Sequence, residues 1–448
     1  MNAHHSACLA LVFLSACSGP SGTVCADGAR ADGCTSGPID AHLDDLVSDA
    51  PFDSIQPTDA DDALDVAIVD ASPTDAVPPP DGHSHTPPDG GWVDSPSLMG
   101  VPPIASNFDI DMALGPAWGT GAIPGPYGDG MAEGAFRLLC EPAQLLYDDP
   151  IVYPGMPGAS PHLHQFFGNR LADANSNFMS LRTTGGSTCN WIRDGAGGFL
   201  PIAANRSAYW VPALLDGTGN VVRPDYLTVY YKRHTATNGC RPTGQSVPIG
   251  TCIPLPQGLR YIFGRNLSDL AGSLDHGYEW RCEAPGTTHY ANLPEVLAAC
   301  PTGSRIIAWA SAPSCWDGMH LDSPNHRDHM AYTQYMPDGT LQCPATHPYL
   351  IPHFELGQVW NVDGLDHSTL TLSSDAAAPG EPRGATYHAD WWGAWDADVL
   401  AMWTDNCIDL GRDGTGGDLC NGRWLLGASQ PSYGWSNPNR LVPVPPRP

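Results

Sequence analysis

The chain has 448 residues and a net charge of −28, from 20 Lys+Arg against 48 Asp+Glu. So acidic a balance argues against nucleic acid, whose binding needs Lys and Arg to neutralise phosphates, and against a polybasic contact with a membrane surface. With 49 Gly and 45 Pro, turns and loops are expected to dominate and long helices to be few.

The N-terminus reads "MNAHHSACLALVFLSACSGPSG". Its apolar run, "CLALVFL", is too short to cross a bilayer and has the character of a secretory hydrophobic region, although the residues before it include no Lys or Arg. Leu14-Ser15-Ala16-Cys17 resembles a bacterial lipobox. Residues 1–17 therefore read as a lipoprotein signal peptide, with Cys17 as the lipidated residue. The expected location is extracytoplasmic: a lipid anchor in a bacterial membrane, at the outer membrane or cell surface. The lipid is then the chain's membrane contact, because no later segment approaches the ~20 apolar residues of a spanning helix.

Export implies an oxidising compartment. Of 14 cysteines, Cys8 lies in the signal and Cys17 carries the lipid, which leaves twelve. Cys25 and Cys34 stand alone in the acidic region and are expected to pair. Local loops suggest 240–252, 282–300 and 407–420, and elimination then leaves 140–189 and 315–343. The sequence has no C-x-x-C, so zinc ribbons and thioredoxin-like chemistry are not expected.

Residues 18–105 are rich in Asp, Pro, Ala and Ser; within 18–100 there are sixteen Asp and one basic residue, Arg30. Such a segment cannot bury enough apolar surface to offset the entropy of ordering, and it reads as a disordered acidic linker. It contains an H-x-H, His83 and His85, so that spacing alone proves nothing. From 106 to 448 the texture is that of one domain. Short β-rich runs recur between Gly/Pro turns: "YLTVYYKR" (226–233), "LRYIFG" (259–264), "RIIAWAS" (305–311), "YLIPHFEL" (349–356) and "STLTLSS" (368–374). "LPEVLAACP" (293–301), with Pro294 in its first turn, is the best helix signal. The expectation is a mainly β fold: a single large β-sandwich-like domain with long disulfide-tied loops and few short helices.

Three distant segments each place two ligand-type residues at i, i+2, the spacing that puts side chains on one face of a strand. They are His162 and His164 in "PHLHQFFGN", His320 and Asp322 in "HLD", and His388 and Asp390 in "YHADWWGAWD". His326 and His329 follow at i, i+3, the spacing of one face of a helical turn. One such pair is weak, since half-buried histidines satisfied by ordinary hydrogen bonds are commoner than ligands. The coincidence of three is what suggests a polar functional pocket. Imidazoles with carboxylates suit one divalent transition metal such as Zn, Mn or Cu.

"DPIVYPGMPGASPHLHQFFGN", "STCNW", "SAYWVPAL", "LTVYYKR", "GLRYIFG", "SCWDGMHLDSPNHRDHMAY", "CPATHPYLIPHFEL" and "YHADWWGAWD" occur in the order seen in a secreted family of fungi and bacteria, domain of unknown function 1996. The resemblance spans roughly 136–407, and "SCWDG…LDSPxHxxHMAY" is its most specific motif. The chain departs from the family at "HADWWGAWD", where the family is closer to H-[AG]-D-F-x-N-G-W. Members often carry appended cell-wall or sugar-binding modules. The resemblance thus implies a polysaccharide-rich setting but no activity.

These readings combine into an expected cell-surface lipoprotein that is a metal-dependent hydrolase or lyase of polysaccharide or cell-wall glycan. His162, His164, His320 and His388 are the expected metal ligands, with His326 and His329 as further candidates. Asp317, Asp322 and Asp390 are expected to do acid/base work, with Tyr209 as a proton donor. Trp316, Trp391 and Trp392 would stack sugar rings and Arg260 would bind a carboxylate, although Trp is as often core. A metal-free alternative pairs Asp322 and Asp390 as the two carboxylates of a glycosidase. The competing class is a non-catalytic glycan-binding or adhesion lipoprotein. No G-x-S-x-G nucleophile elbow, phosphate loop or dinucleotide fingerprint is present.

Overall fold

Two largely antiparallel sheets face each other, and the two-residue period of their strands turns one row of large apolar side chains from each into a shared core. The computed structural model describes residues 91–127, 133–190, 202–234, 250–268, 277–283, 288–335, 337, 341–428 and 440–448. The signal peptide, Cys17, the Cys25–Cys34 pair and linker residues 18–90 lie outside the described residues.

The larger sheet has seven strands in the order His289–Tyr290, Tyr278–Cys282, Ile306–Ser311, His353–Trp360, Tyr226–His234, Glu133–Cys140 and Asp413–Gly414. Its last pair is parallel and the rest are antiparallel. The smaller sheet has five, all antiparallel: Arg260–Gly264, His388–Trp392, Ala208–Pro212, His164–Gly168 and Pro142–Leu146. The expected strands at 226–233, 259–264 and 305–311 all form. "YLIPHFEL" splits at Pro352 into Tyr349–Leu350 and the start of His353–Trp360, as a residue without an N–H requires. "STLTLSS" supplies only Thr371–Leu372.

The register of the smaller sheet decides which residues are core. Phe167 pairs with Tyr209, Tyr209 with Trp391 and Trp391 with Tyr261, so this row shares one face. That face packs on Phe136, Val229, Tyr231, Phe354 and Leu356 of the larger sheet in one continuous apolar cluster. Each such side chain contributes about 1.5–3 kcal/mol of burial. The next row, one residue along each strand, is Phe166, Trp210, Asp390 and Ile262, and it points away from the larger sheet. Phe166, Trp210, Ile262 and Trp392 join Ile151, Ala172 and Leu181 in a second, smaller cluster beneath the loops after 146.

Among the described residues three short α-helices form: Phe178–Thr183, Leu293–Ala299 and Ala397–Trp403. The second is the helix expected at 293–301, capped by Asn292, whose side chain accepts from the Glu295 N–H at 3.1 Å. Four of the expected disulfides are present, 140–189, 282–300, 315–343 and 407–420. Cys252 is also disulfide-bonded, while Cys240, its expected partner, lies outside the described residues.

The start of the folded region needs correction. Residues 91–105 fall on the linker side of the expected boundary, yet Val93–Asp94 pairs with His320–Asp322. The Trp92 ring lies 4.4 Å from that of His320, and Val101 donates to the Gln257 carbonyl at 3.0 Å. The apolar residues Trp92, Val93 and Val101 give this stretch a reason to pack that its Pro/Gly content masks in the sequence.

Candidate metal centre

The outer face of the smaller sheet carries the site. His164 begins its strand and sits across from Pro212 on the next. Asp390 sits across from Trp210, and the same antiparallel register continued by two residues brings His388 opposite Pro212 from the other side. Two imidazoles thus flank a strand end whose central residue is a short, rigid proline and has no bulky side chain to fill the space between them. Gly264 pairs with His388 at φ 81°, where a Cβ would lie 2.9 Å from the His388 Cα, so glycine permits that close approach. His162 lies two residues before His164, outside the strand. Its loop is tied by Ser160 Oγ donating to the His162 carbonyl (2.9 Å) and by Arg447 donating to the carbonyls of Ser160 and Pro161 (2.7 and 3.0 Å).

One ligand nitrogen from each of His162, His164 and His388 lies within 4.8 Å of the others, and this buried group could hold a metal ion. The His162 and His388 Nε2 atoms are 3.3 Å apart. Bonds of about 2.0–2.1 Å in a tetrahedral site put neighbouring ligand atoms about 3.3–3.4 Å apart, so this spacing suits a shared cation. His164 Nδ1–H donates to the Asp148 carbonyl and His388 Nδ1–H to the Thr386 carbonyl, both at 2.9 Å. Because a carbonyl only accepts, each bond fixes the tautomer and leaves Nε2 with a free lone pair, the usual arrangement behind a metal-bound imidazole. The His164 Nε2 is buried without a partner. Burial pushes His164 down to about 3, assisted by the His388 charge, and His388 down to about 4. His162 is lowered too, first by burial and then by its two neighbours. All three imidazoles are therefore neutral, as ligands must be.

Asp390 is 1% exposed and neither carboxylate oxygen has a hydrogen-bond partner. Its Oδ2 is 3.9 Å from His388 Nε2. Burial holds its carboxyl well above the usual carboxylate range, the charge of Asp149 adds to this, and Arg327 opposes it. Asp149 and Arg327 are site neighbours that a search for histidine pairs passes over. Asp149 is raised by burial although its Oδ1 accepts from the Ile151 and Val152 N–H groups at 3.0 and 2.9 Å. Arg327 donates to the Gly264 and Arg265 carbonyls at 3.3 and 3.2 Å. Their signal lay within segments already singled out, "DPIVYPG" and "NHRDHMAY".

A second polar group lies along the edge strand Arg260–Gly264. The Asp322 carboxylate accepts from Arg260 Nε at 2.7 Å and from His326 Nδ1–H at 2.9 Å. Burial would raise its carboxyl, but His326 and Arg260 outweigh this and hold it below the usual range. The Arg260 guanidinium lies 4.5 Å from the Trp392 ring, over its face. His326 has φ 59°, an unusual conformation for a non-glycine residue, and its carbonyl accepts from the Ile262 N–H at 2.9 Å. His329 uses both nitrogens, toward Ser323 Oγ (2.9 Å) and the Arg260 carbonyl (3.0 Å), and braces the loop.

Several expected site residues lie elsewhere. His320 is not in the histidine group: its ring packs at a tilt against Trp92 and its Nδ1 is 2.5 Å from Asp317 Oδ2. Asp317 also accepts from the backbone N–H groups of Met319 and His320 (2.8 and 3.0 Å), so it shapes a turn. Tyr209 and Trp391 are on the core face, one residue out of phase with the site; Tyr209 meets the Tyr231 hydroxyl at 2.8 Å. Trp316 is fully buried, its indole N–H donating to the His320 carbonyl at 2.6 Å. Of the three expected stacking tryptophans, only Trp392 is on the outer face. The i, i+2 spacing was right in each segment, but spacing cannot say which pairs meet.

A two-sheet sandwich with a buried three-histidine group on its outer face is the class that the fold and site define. Residues 149–395, more than half of the chain, match the family described as Domain of unknown function (DUF1996). The chain belongs to that family. No curated protein and no solved structure matches it.

Proposed function

We propose that this is a cell-surface, metal-dependent enzyme, a hydrolase or lyase of polysaccharide, whose centre is built on His162, His164 and His388. The observation that carries the reading is the convergence of three neutral imidazoles, two with tautomers fixed so that Nε2 carries the lone pair. A zinc, manganese or copper ion held there would supply Lewis-acid chemistry. The protein's own part would be to orient substrate and move protons. In this reading His326, held by Asp322, would act as an acid/base group, and Arg260 beside Trp392 would bind sugar oxygens or carboxylate.

The burial of the centre favours the other reading. His164 is 0% exposed and His388 5%, and two of the expected stacking tryptophans are core residues. A closed centre of this kind suits a glycan- or cell-wall-binding lipoprotein whose metal only holds the site together. One experiment separates the two. The purified full-length protein is analysed for bound metal and then incubated with a panel of polysaccharides, with and without a chelator. A stoichiometric metal with chelator-sensitive release of reducing ends or unsaturated sugars supports the enzyme. Metal with glycan retention and no products supports the binding protein, and no metal in the protein as isolated or after reconstitution removes the basis of both. For the anchor, Cys17→Ser should move the protein from the membrane fraction to the soluble one; a mutant that stays on the membrane without detergent would rule out lipidation at Cys17.

A further inference from the structure

We propose that Asp390 is the fourth ligand of the three-histidine centre, so that a divalent first-row metal is held by three imidazoles and one carboxylate. This deepens the metal reading and rests on it. The carboxylate is 1% exposed and both its oxygens lack hydrogen-bond partners. A buried carboxylate without donors is costly, and such groups normally pair with a cation or coordinate a metal. Asp390 is two residues from His388 on the same strand, on the same face, with Oδ2 3.9 Å from the His388 Nε2. That is within a rotamer adjustment of the spacing between ligands that share one ion.

The neighbouring carboxylates are committed. Asp149 Oδ1 accepts two backbone N–H groups, and the oxygens of Asp148 accept from Gly158 (2.7 Å) and Ala174 (3.0 Å). Asp322 is taken by Arg260 and His326. Asp390 is thus the carboxylate at the site with both oxygens available. A divalent charge needs an anion beside it when burial removes water, and three neutral imidazoles provide none. The resulting set of three nitrogens and one oxygen suits zinc and its first-row neighbours. It does not suit calcium, which takes oxygen ligands, or Cu(I), which prefers sulfur.

The test uses the full-length protein stripped by chelator and titrated with Zn²⁺ and, for its visible spectrum, Co²⁺. Wild type, His164→Ala, Asp390→Asn and Asp390→Ala are compared. Wild type should take one equivalent. Asp390→Asn should bind more than about a hundredfold more weakly, with a changed cobalt spectrum, because losing a group that only orients a ligand already costs about 10–100-fold. Wild-type binding that Asp390→Asn weakens by less than about a hundredfold, with an unchanged cobalt spectrum, overturns the assignment and leaves the histidine centre intact. No binding by wild type overturns the underlying metal reading instead. If the Asp390 variants do not fold, the zinc-loaded wild type decides by anomalous diffraction. An Asp390 oxygen about 2.0–2.2 Å from the ion supports the assignment. A carboxylate separated from the ion by a water overturns it.

Discussion

His164→Ala separates metal binding from folding, because the two contributions of this side chain have different sizes. In the metal-free protein its imidazole makes one hydrogen bond, to the Asp148 carbonyl, and carries one buried nitrogen with no partner. Losing the bond and leaving that carbonyl unpaired costs about 1–3 kcal/mol, while removing the unpaired nitrogen returns a similar amount. Packing lost at the small cavity adds a little, so the net cost expected without metal is about 1–2 kcal/mol. With metal the balance changes. A ligand that binds only the folded state at a thousand times its Kd adds about 4 kcal/mol, and this increment should vanish in the mutant. Urea unfolding of wild type and His164→Ala, each with chelator and with excess Zn²⁺, measures all four stabilities. The reasoning is refuted if zinc does not stabilise wild type, or if the mutant loses more than about 4 kcal/mol in chelator, which would make His164 a structural residue.

Three other outcomes are expected. Trp391→Ala, which removes a ring packed 4.7 Å from Phe354 and 5.4 Å from Tyr261, should cost about 3–5 kcal/mol by chemical denaturation; a cost below ~1 kcal/mol would contradict its place in the core. Burial holds His329 down at about 4, so between pH 6.5 and 4 the unfolded chain binds a proton that the folded chain refuses. Stability should therefore fall as pH drops through that window, by up to about 3 kcal/mol from this residue, and His329→Gln should flatten the profile measured in chelator; an unchanged profile would show that His329 does not contribute. Finally, removing residues 1–105 should lower the melting temperature relative to removing 1–90, because the longer cut deletes the Val93–Asp94 strand and the Trp92–His320 contact; equal melting of the two truncations would show that the segment adds no stability.

What the sequence disclosed follows the range of the interactions involved. The strand at Tyr226–His234 and the helix at Leu293–Ala299 depend on local pattern and capping, and both were readable. So were the disulfides within short loops. The site was half readable. His164 and His388 were found because strand periodicity sets which residues face outward, while His162 joins them from the loop that precedes its strand. His320 was misplaced because its ring partner Trp92 is brought in by a strand pairing about 230 residues apart in sequence, which no local spacing reports, and its Nδ1 is taken by Asp317 within its own turn. Arg327 and Asp149 were missed because each is an ordinary charged residue until the fold buries it.

The tryptophans show the same limit in a more useful form. Trp391 and Trp392 are adjacent in one strand, yet one belongs to the core between the sheets and the other to the face that carries the site. The same parity puts Ala389 and Trp391 inward and His388 and Asp390 outward. A slip of one residue in this strand would bury His388 and Asp390 in the apolar core and expose Trp391, which gives the register a large energetic gap. The candidate centre and the core therefore both draw on the same five residues, His388–Trp392. The family-like motif is accordingly dense at this strand, where packing and site chemistry constrain alternate positions. At "HADWWGAWD" the departure from the family pattern within this strand is Trp391, which stands where the family has Phe and packs 4.7 Å from Phe354 in the inward row. That substitution enlarges one ring of the inward row and leaves His388 and Asp390 of the outward row as the family pattern has them, so it is a change in how the core is filled rather than in what the site presents.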